Sequence, residues 1–226
     1  MINYITKYAK IFLPKEIRAF IRLTNKLIIY NYRFYNILFN VKFKNNLKII
    51  VGAAESYQKG WYSTNQQWLD IRNTYHWQKI FNSKIIITNV VAEHVFEHLT
   101  YDECIKSLRI MNKYMKKNAK IRIAVPDGYN PDRNYIKNVC INGIGDDAQD
   151  HKQLLNKDIL FEILNKANFK PILIEGYDKN KNLTSNKFFN DEGFIRRSRQ
   201  NKDNNLEKIW GFKDSKTSLI VDGIKN

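Results

Sequence analysis

The sequence predicts an α/β domain, a mostly parallel sheet with helices on its faces, preceded by a helical arm. Three observations predict it. From Leu47 onward, short β-branched runs alternate with stretches whose apolar residues recur at helical spacing, the pattern of strand–helix–strand units. The strongest run, KIIITNVV at 84–91, is almost unbroken, as strands buried on both faces are. The chain has 226 residues, 43% of them hydrophobic and 13% aromatic, enough for one sizeable core.

The arm occupies residues 1–46 and the α/β domain residues 47–226. After Pro14, a residue suited to a first helical turn, Ile17, Phe20, Ile21, Leu27, Ile28, Phe34, Tyr35 and Leu38 follow a helical stripe. Lys15, Arg18, Arg22 and Lys26 fall mostly on another side. LKIIVG (47–52) reads as a buried strand and WYST (61–64) as a short second one, ahead of the strong run at 84–91. Thr100 and Glu103 form an S/T-x-x-E capping box, and Cys104, Leu108, Met111 and Met115 continue at helical spacing as core residues. KIRIAV (120–125) is a strand stopped by Pro126. A helix over 155–168 presents Leu155, Ile159, Ile163, Leu164 and Ala167, and strands at 171–177 and 217–224 follow, separated by a polar loop. Only residues 53–60 separate the first two strands, whereas a parallel crossover normally takes a dozen or more. That crossover is therefore a turn, or the second strand is misread.

Composition excludes several classes. A chain this rich in large apolar groups is neither disordered nor collagen-like. No run reaches the roughly 18 uncharged apolar residues of a spanning helix. Lys7, Lys10 and Lys15 interrupt the apolar start, which argues against a secretory signal. Two cysteines, Cys104 and Cys140, are too few for a disulfide framework or a cysteine metal site, so a reduced, cytoplasmic setting is expected. The net charge of +16 suggests nucleic acid. Its distribution says otherwise: nine Lys and Arg stand against the single Glu16 within residues 1–46, and the rest is diffuse in a chain rich in Asn, Ile and Lys. Nucleic acid is not the expected partner. The basic arm either packs its stripe on the domain or, through residues 15–39, makes peripheral contact with an anionic membrane.

In a doubly wound sheet, ligands sit beyond the carboxyl ends of the strands. Three such ends are rich in polar or small residues: Gly52-Ala53-Ala54-Glu55, Ala92-Glu93-His94-Val95-Phe96-Glu97-His98-Leu99, and Pro126-Asp127-Gly128-Tyr129. His94, Glu97 and His98 spell H-x-x-E-H, a zinc peptidase pattern, which on a helix places both histidines on one metal. The pattern follows a strand directly and is cut off by the cap at Thr100, and no downstream residue clearly supplies a third ligand. No metal site is expected.

The stretch AEHVFEHLT, the helix after it and KIRIAVPDGYNPD together resemble a bacterial family of small S-adenosylmethionine-dependent methyltransferases. The resemblance runs in order from Gly60-Trp61 through Gly143-Ile144-Gly145, Asp147, Asp150-His151-Lys152 and Ala167-Asn168-Phe169. It ends with Asp191-Glu192-Gly193-Phe194-Ile195, the basic run at 196–199 and TSLIVD at 217–222, and so covers about residues 47–224. It implies the class I methyltransferase fold, a Rossmann-like sheet with a shortened first crossover, and S-adenosyl-L-methionine as cofactor. Basic N-terminal extensions like this arm occur on relatives. The implied cofactor wall is Gly52, Ala53, Ala54, Asn65, Glu93 and His94. Relatives carry G-x-G-G where this chain has Gly52-Ala53-Ala54-Glu55, an acidic residue where it has Asn65, and K-P-G-G where it has Lys117-Asn118-Ala119-Lys120.

Transfer to a hydroxyl benefits from a base. His151, with Asp150 beside it to orient the ring, is the first candidate and Asp127 the second. The plainer role for His151 is pinning its loop, and for His98 packing at a helix start. The expected function is methyl transfer to a small-molecule or glycan acceptor. The alternatives are a non-catalytic binding or scaffolding protein of the same fold and, third, the zinc peptidase. The acceptor, the oligomeric state and the pathway are not legible in the chain.

Overall fold

The computed structural model describes residues 14–54, 56–145, 148–200 and 217–226. Lys7, Lys10, Glu55 and Asp147, singled out above, lie outside them. A long helix α1 (Lys15–Phe43) leads into strand β1 (Leu47–Val51). Then come β2 (Tyr62–Ser63), α2 (Thr74–Phe81), β3 (Ile87–Glu93), α3 (Tyr101–Tyr114) and β4 (Met115–Pro126). The chain closes with α4 (Arg133–Val139), α5 (Lys157–Lys166), β5 (Phe169–Tyr177), β6 (Leu183–Ser185) and β7 (Ser218–Lys225).

The strands form one sheet in the order β2-β1-β3-β4-β7-β5-β6. β1 runs parallel to β2 and β3, and β3 parallel to β4, whereas β7 lies antiparallel between β4 and β5. This is the expected Rossmann-like, class I methyltransferase-like α/β arrangement with an N-terminal helix. The order reverses at β1, which is flanked by β2 on one side and β3 on the other. Their carboxyl ends therefore flank the crevice where such sheets take ligands.

The first crossover is indeed a turn. Among the described residues of 52–61 there is no helix, yet β2 pairs in parallel with β1, Ile49 opposite Tyr62 and Ile50 opposite Ser63. Two helices escaped the reading of the sequence. α2 is capped by Asn73, whose side chain accepts from the Tyr75 and His76 amides, and it buries Trp77, Ile80 and Phe81. α4 is capped by Asp132 in the same way but buries none of its residues, so no apolar stripe announced it. The 117–120 segment is no open turn either. It lies within β4, where the register against β3 jumps from Met115 to Lys120 and Asn118 adopts φ +60°.

The capping box at α3 is present in full: Thr100 accepts from the Glu103 amide, and the Glu103 carboxylate accepts from the Thr100 amide. That amide, followed by Lys152, holds the Glu103 carboxyl down at about 2. Its contribution is complete above the ordinary value near 4.5 and fades as pH falls from there toward 2. Thr100→Ala should cost about 1 kcal/mol in urea unfolding at neutral pH.

Among the described residues, the buried side chains of α1 lie in its second half. Ile37 and Val41 are buried, Phe34 and Leu38 pack against the core, and the Phe34 ring meets Trp68 edge-on at 5.5 Å. Lys84 Nζ donates to the carbonyl of Val41 at 2.9 Å. Along another face Ile17, Phe20, Ile28, Tyr32, Tyr35, Phe39 and Phe43 stay exposed.

Candidate functional site

The site is assembled where β1 and β3 end. Gly52 turns the chain out of β1 at φ +59°, and a Cβ there would lie 2.6 Å from Val95 Cγ2, so no other residue suits the position. Ala54 and His94 hold φ values of +45° and +53° without being glycine, which places a strained residue after each strand. The loop after β1 is tied to the strand beside it. Ala53 N donates to Thr64 O at 2.9 Å, and Asn65 Nδ2 lies 3.4 Å from Ala54 O. The arm reaches the same loop: the Arg33 guanidinium donates to Ala54 O at 2.6 Å and to Ser56 O at 3.2 Å.

A cleft of about 100 Å³ opens between these strand ends, lined by Gly52, Ala53 and Glu93 together with Gln58, Phe194 and Arg196. Three of the six residues in the implied cofactor wall thus meet. Ala54, Asn65 and His94 stand beside the cleft without lining it. A larger groove of about 530 Å³ lies on the helix surface around Tyr101, Asp102, Lys106, Arg109 and Lys166, with no strand-end residue in its lining. It is broad and open, and nothing in it converges on a reacting centre.

Glu93 has a visible occupation. Its carboxylate accepts from the amides of Arg196 and Arg197 at 3.1 and 2.8 Å, which draws residues 193–199 over the cleft. Glu175, wholly buried on β5, holds the same segment through the Arg199 amide at 2.8 Å and the Ser198 hydroxyl at 2.7 Å. Beneath it Arg122 on β4 makes a bidentate pair with Asp222 on β7 at 2.7 and 2.8 Å and donates to Gly193 O at 2.7 Å. The sequence reading missed this framework. Its signal was present: one Arg and one Asp inside runs otherwise apolar, KIRIAV and SLIVDGI.

At the end of β4, Asp127 is fully buried, and its two oxygens accept from the amides of Tyr129 and Tyr177 at 3.0 and 2.8 Å. Burial pushes its carboxyl above the ordinary value, against the pull of those amides. His151 is also buried, but Asp150 does not orient it as expected. Its Nδ1 lies 2.8 Å from the carbonyl of Val139, and Asp150 ends a short 3₁₀ turn just before it. A carbonyl only accepts, so Nδ1 carries the proton and Nε2 keeps the lone pair.

The H-x-x-E-H segment is not an α-helix. His94 leaves β3 in a left-handed conformation and only Phe96–His98 form a 3₁₀ turn, so the one-turn spacing required by the peptidase pattern is absent. His94 Nε2 instead meets the Ser218 hydroxyl at 3.1 Å, and its Nδ1 lies 3.1 Å from Glu97 Oε1. Glu97 is completely buried. Burial raises its carboxyl, and the His94 ring outweighs that, leaving it below the ordinary value.

No protein-family model matches the chain, and no curated protein does. Solved structures match the chain at low identity and low structural similarity. An S-adenosylmethionine-dependent methyltransferase from Archaeoglobus fulgidus is 13% identical, covering 87% of this chain and 94% of that one, with a TM-score of 0.44. A possible histamine N-methyltransferase from Thermotoga maritima is 11% identical over 91% and 95%, also at 0.44. Magnesium protoporphyrin IX methyltransferase from Synechocystis, with its cofactor bound, is 9% identical over 95% and 86%, at 0.38. Likeness of this degree says nothing of ligand, acceptor or activity.

Proposed function

We propose that the protein transfers a methyl group from S-adenosylmethionine to a hydroxyl of a small-molecule or glycan acceptor. The observation that carries the proposal is the cleft at the reversal point of the sheet, where Gly52, Ala53 and Glu93 converge. The residues suit the cofactor. Asn65 Oδ1 is buried without a hydrogen bond, an acceptor fit for a ribose hydroxyl, and Gly52 and Ala53 bring bare backbone to the methionine end. The cofactor supplies an electrophilic methyl group; the protein's work is to bind it, exclude water and align the acceptor. His151 Nε2, with its tautomer set by Val139, is the group suited to take the acceptor's proton.

A cleft of about 100 Å³ is smaller than the roughly 300–1,000 Å³ of typical ligand sites. Binding therefore requires residues 193–199 to draw back from Glu93. The same observation favours the second reading, a non-catalytic relative whose cleft stays closed. Thermal melting distinguishes them. S-adenosylhomocysteine should raise the melting temperature of the full chain, and Asn65→Ala and Gly52→Val should abolish most of that rise. An unchanged melting temperature at saturating ligand supports the closed, non-catalytic protein.

The arm serves a separate role in this proposal, peripheral contact with an anionic membrane. Phe20 is 69% exposed and Phe43 70%, on the face that also carries Ile17, Ile28 and Phe39. Lys15, Arg18, Arg22 and Lys26 follow one another at three- and four-residue steps along a different face. Among the described residues no helix is long and apolar enough to cross a membrane. Anionic vesicles should pellet the native chain, and Phe20→Asp with Ile28→Asp should leave it in the supernatant. Equal pelleting would end the idea.

A further inference from the structure

We propose that Glu97, His98 and His151 form a binding site for a divalent transition-metal ion, with zinc the best-suited occupant. One carboxylate oxygen and one ring nitrogen from each histidine lie within 4.8 Å of one another. The three residues come from two parts of the chain, the 3₁₀ turn after β3 and the loop before α5, which the fold brings face to face. The two imidazoles meet edge to face with centroids 5.0 Å apart.

Two further features point to a ligand. Neither oxygen of the wholly buried Glu97 makes a conventional hydrogen bond, and Oε1 is paired with His94 Nδ1 at 3.1 Å. The His94 ring lies to one side of this carboxylate, and both oxygens keep acceptor capacity that a cation would use. The histidines are also arranged as metal ligands are. His98 Nδ1 faces the carbonyl of Asp150 at 3.3 Å and His151 Nδ1 that of Val139 at 2.8 Å. Each ring is thereby oriented by a backbone acceptor, with the Nε2 lone pair left for a metal. Two imidazoles and one carboxylate suit zinc, leave a fourth position open, and leave the ion with a net single positive charge.

The proposal does not rest on methyl transfer, but it constrains it. A metal held by His151 Nε2 takes the lone pair that a base needs, so a loaded protein cannot use His151 as its proton acceptor.

The test uses the full chain, purified without a histidine tag, stripped with chelator and titrated with zinc sulfate and with cobalt chloride. We expect one ion per chain, a zinc-dependent rise in melting temperature, and visible absorption bands from tetrahedral cobalt. Glu97→Gln, His98→Ala and His151→Ala should each weaken zinc binding on the order of 10–100-fold or more, whereas His76→Ala, outside the cluster, should not. Circular dichroism and the metal-free melt establish that each variant is folded. If His151→Ala does not fold, the half-buried His98 still decides the matter. Absence of stoichiometric binding, or binding untouched by His98→Ala, overturns the site.

Discussion

Asp222→Ala should destabilise the protein by about 3 kcal/mol or more, because it takes the bidentate partner from a wholly buried Arg122 and leaves it the Gly193 carbonyl and a distant Glu192 at 3.8 Å. For a chain of this size that is a fall of roughly 6 °C or more in melting temperature. The pair joins β4 to β7 and lends Gly193 its anchor, so the segment over the cleft should loosen as well. Removing both charges gives the contrast. Arg122→Met combined with Asp222→Leu should cost much less than Asp222→Ala alone, since desolvating the two ions offsets most of their attraction. A double variant as unstable as the single one would mean that packing, and not the unpaired charge, sets the loss. Chemical denaturation of the three variants against the native chain decides it.

Glu175→Ala should be the next most damaging change, at about 2–3 kcal/mol. It leaves the Arg199 amide, the Arg199 guanidinium and the Ser198 hydroxyl without their buried acceptor. The effect should also be local. Hydrogen exchange at the Arg196, Arg197 and Arg199 amides should quicken in this variant more than at the Ile121–Val125 amides of β4. Uniform acceleration along the whole sheet would show that Glu175 acts on global stability and not on the segment that covers the cleft.

Much of the fold was legible because its signals are local. β3 reads as a strand from its β-branched run, and α3 from a capping box four residues long. The turn that replaces the first crossover was visible as a simple shortage of residues between two strands. What escaped had a weak or partial local signal: α2 is only eight residues long, with a cap at Asn73 and three buried residues. α4 has a cap but no buried face, and the 117–120 bulge looks like any polar connection. The candidate site divides along the same line. Gly52, Ala53 and Glu93 sit at strand ends, where topology alone directs attention. The occupation of Glu93 by the Arg196 and Arg197 amides depends on a contact across about a hundred residues, which no spacing encodes. Asp150 beside His151 misled for a related reason, since adjacency in the chain says little about which acceptor an imidazole finds. The meeting of His151 with Glu97 and His98 is likewise a product of the folded chain.

The cleft between β1 and β3 is the proposed binding site for S-adenosylmethionine. Isothermal titration of the full chain with S-adenosylmethionine and with S-adenosylhomocysteine tests it most directly. Saturable binding of one ligand per chain is expected, with a dissociation constant on the order of micromolar. No heat of binding at millimolar concentration of either ligand would contradict it and leave a fold of this class without its cofactor.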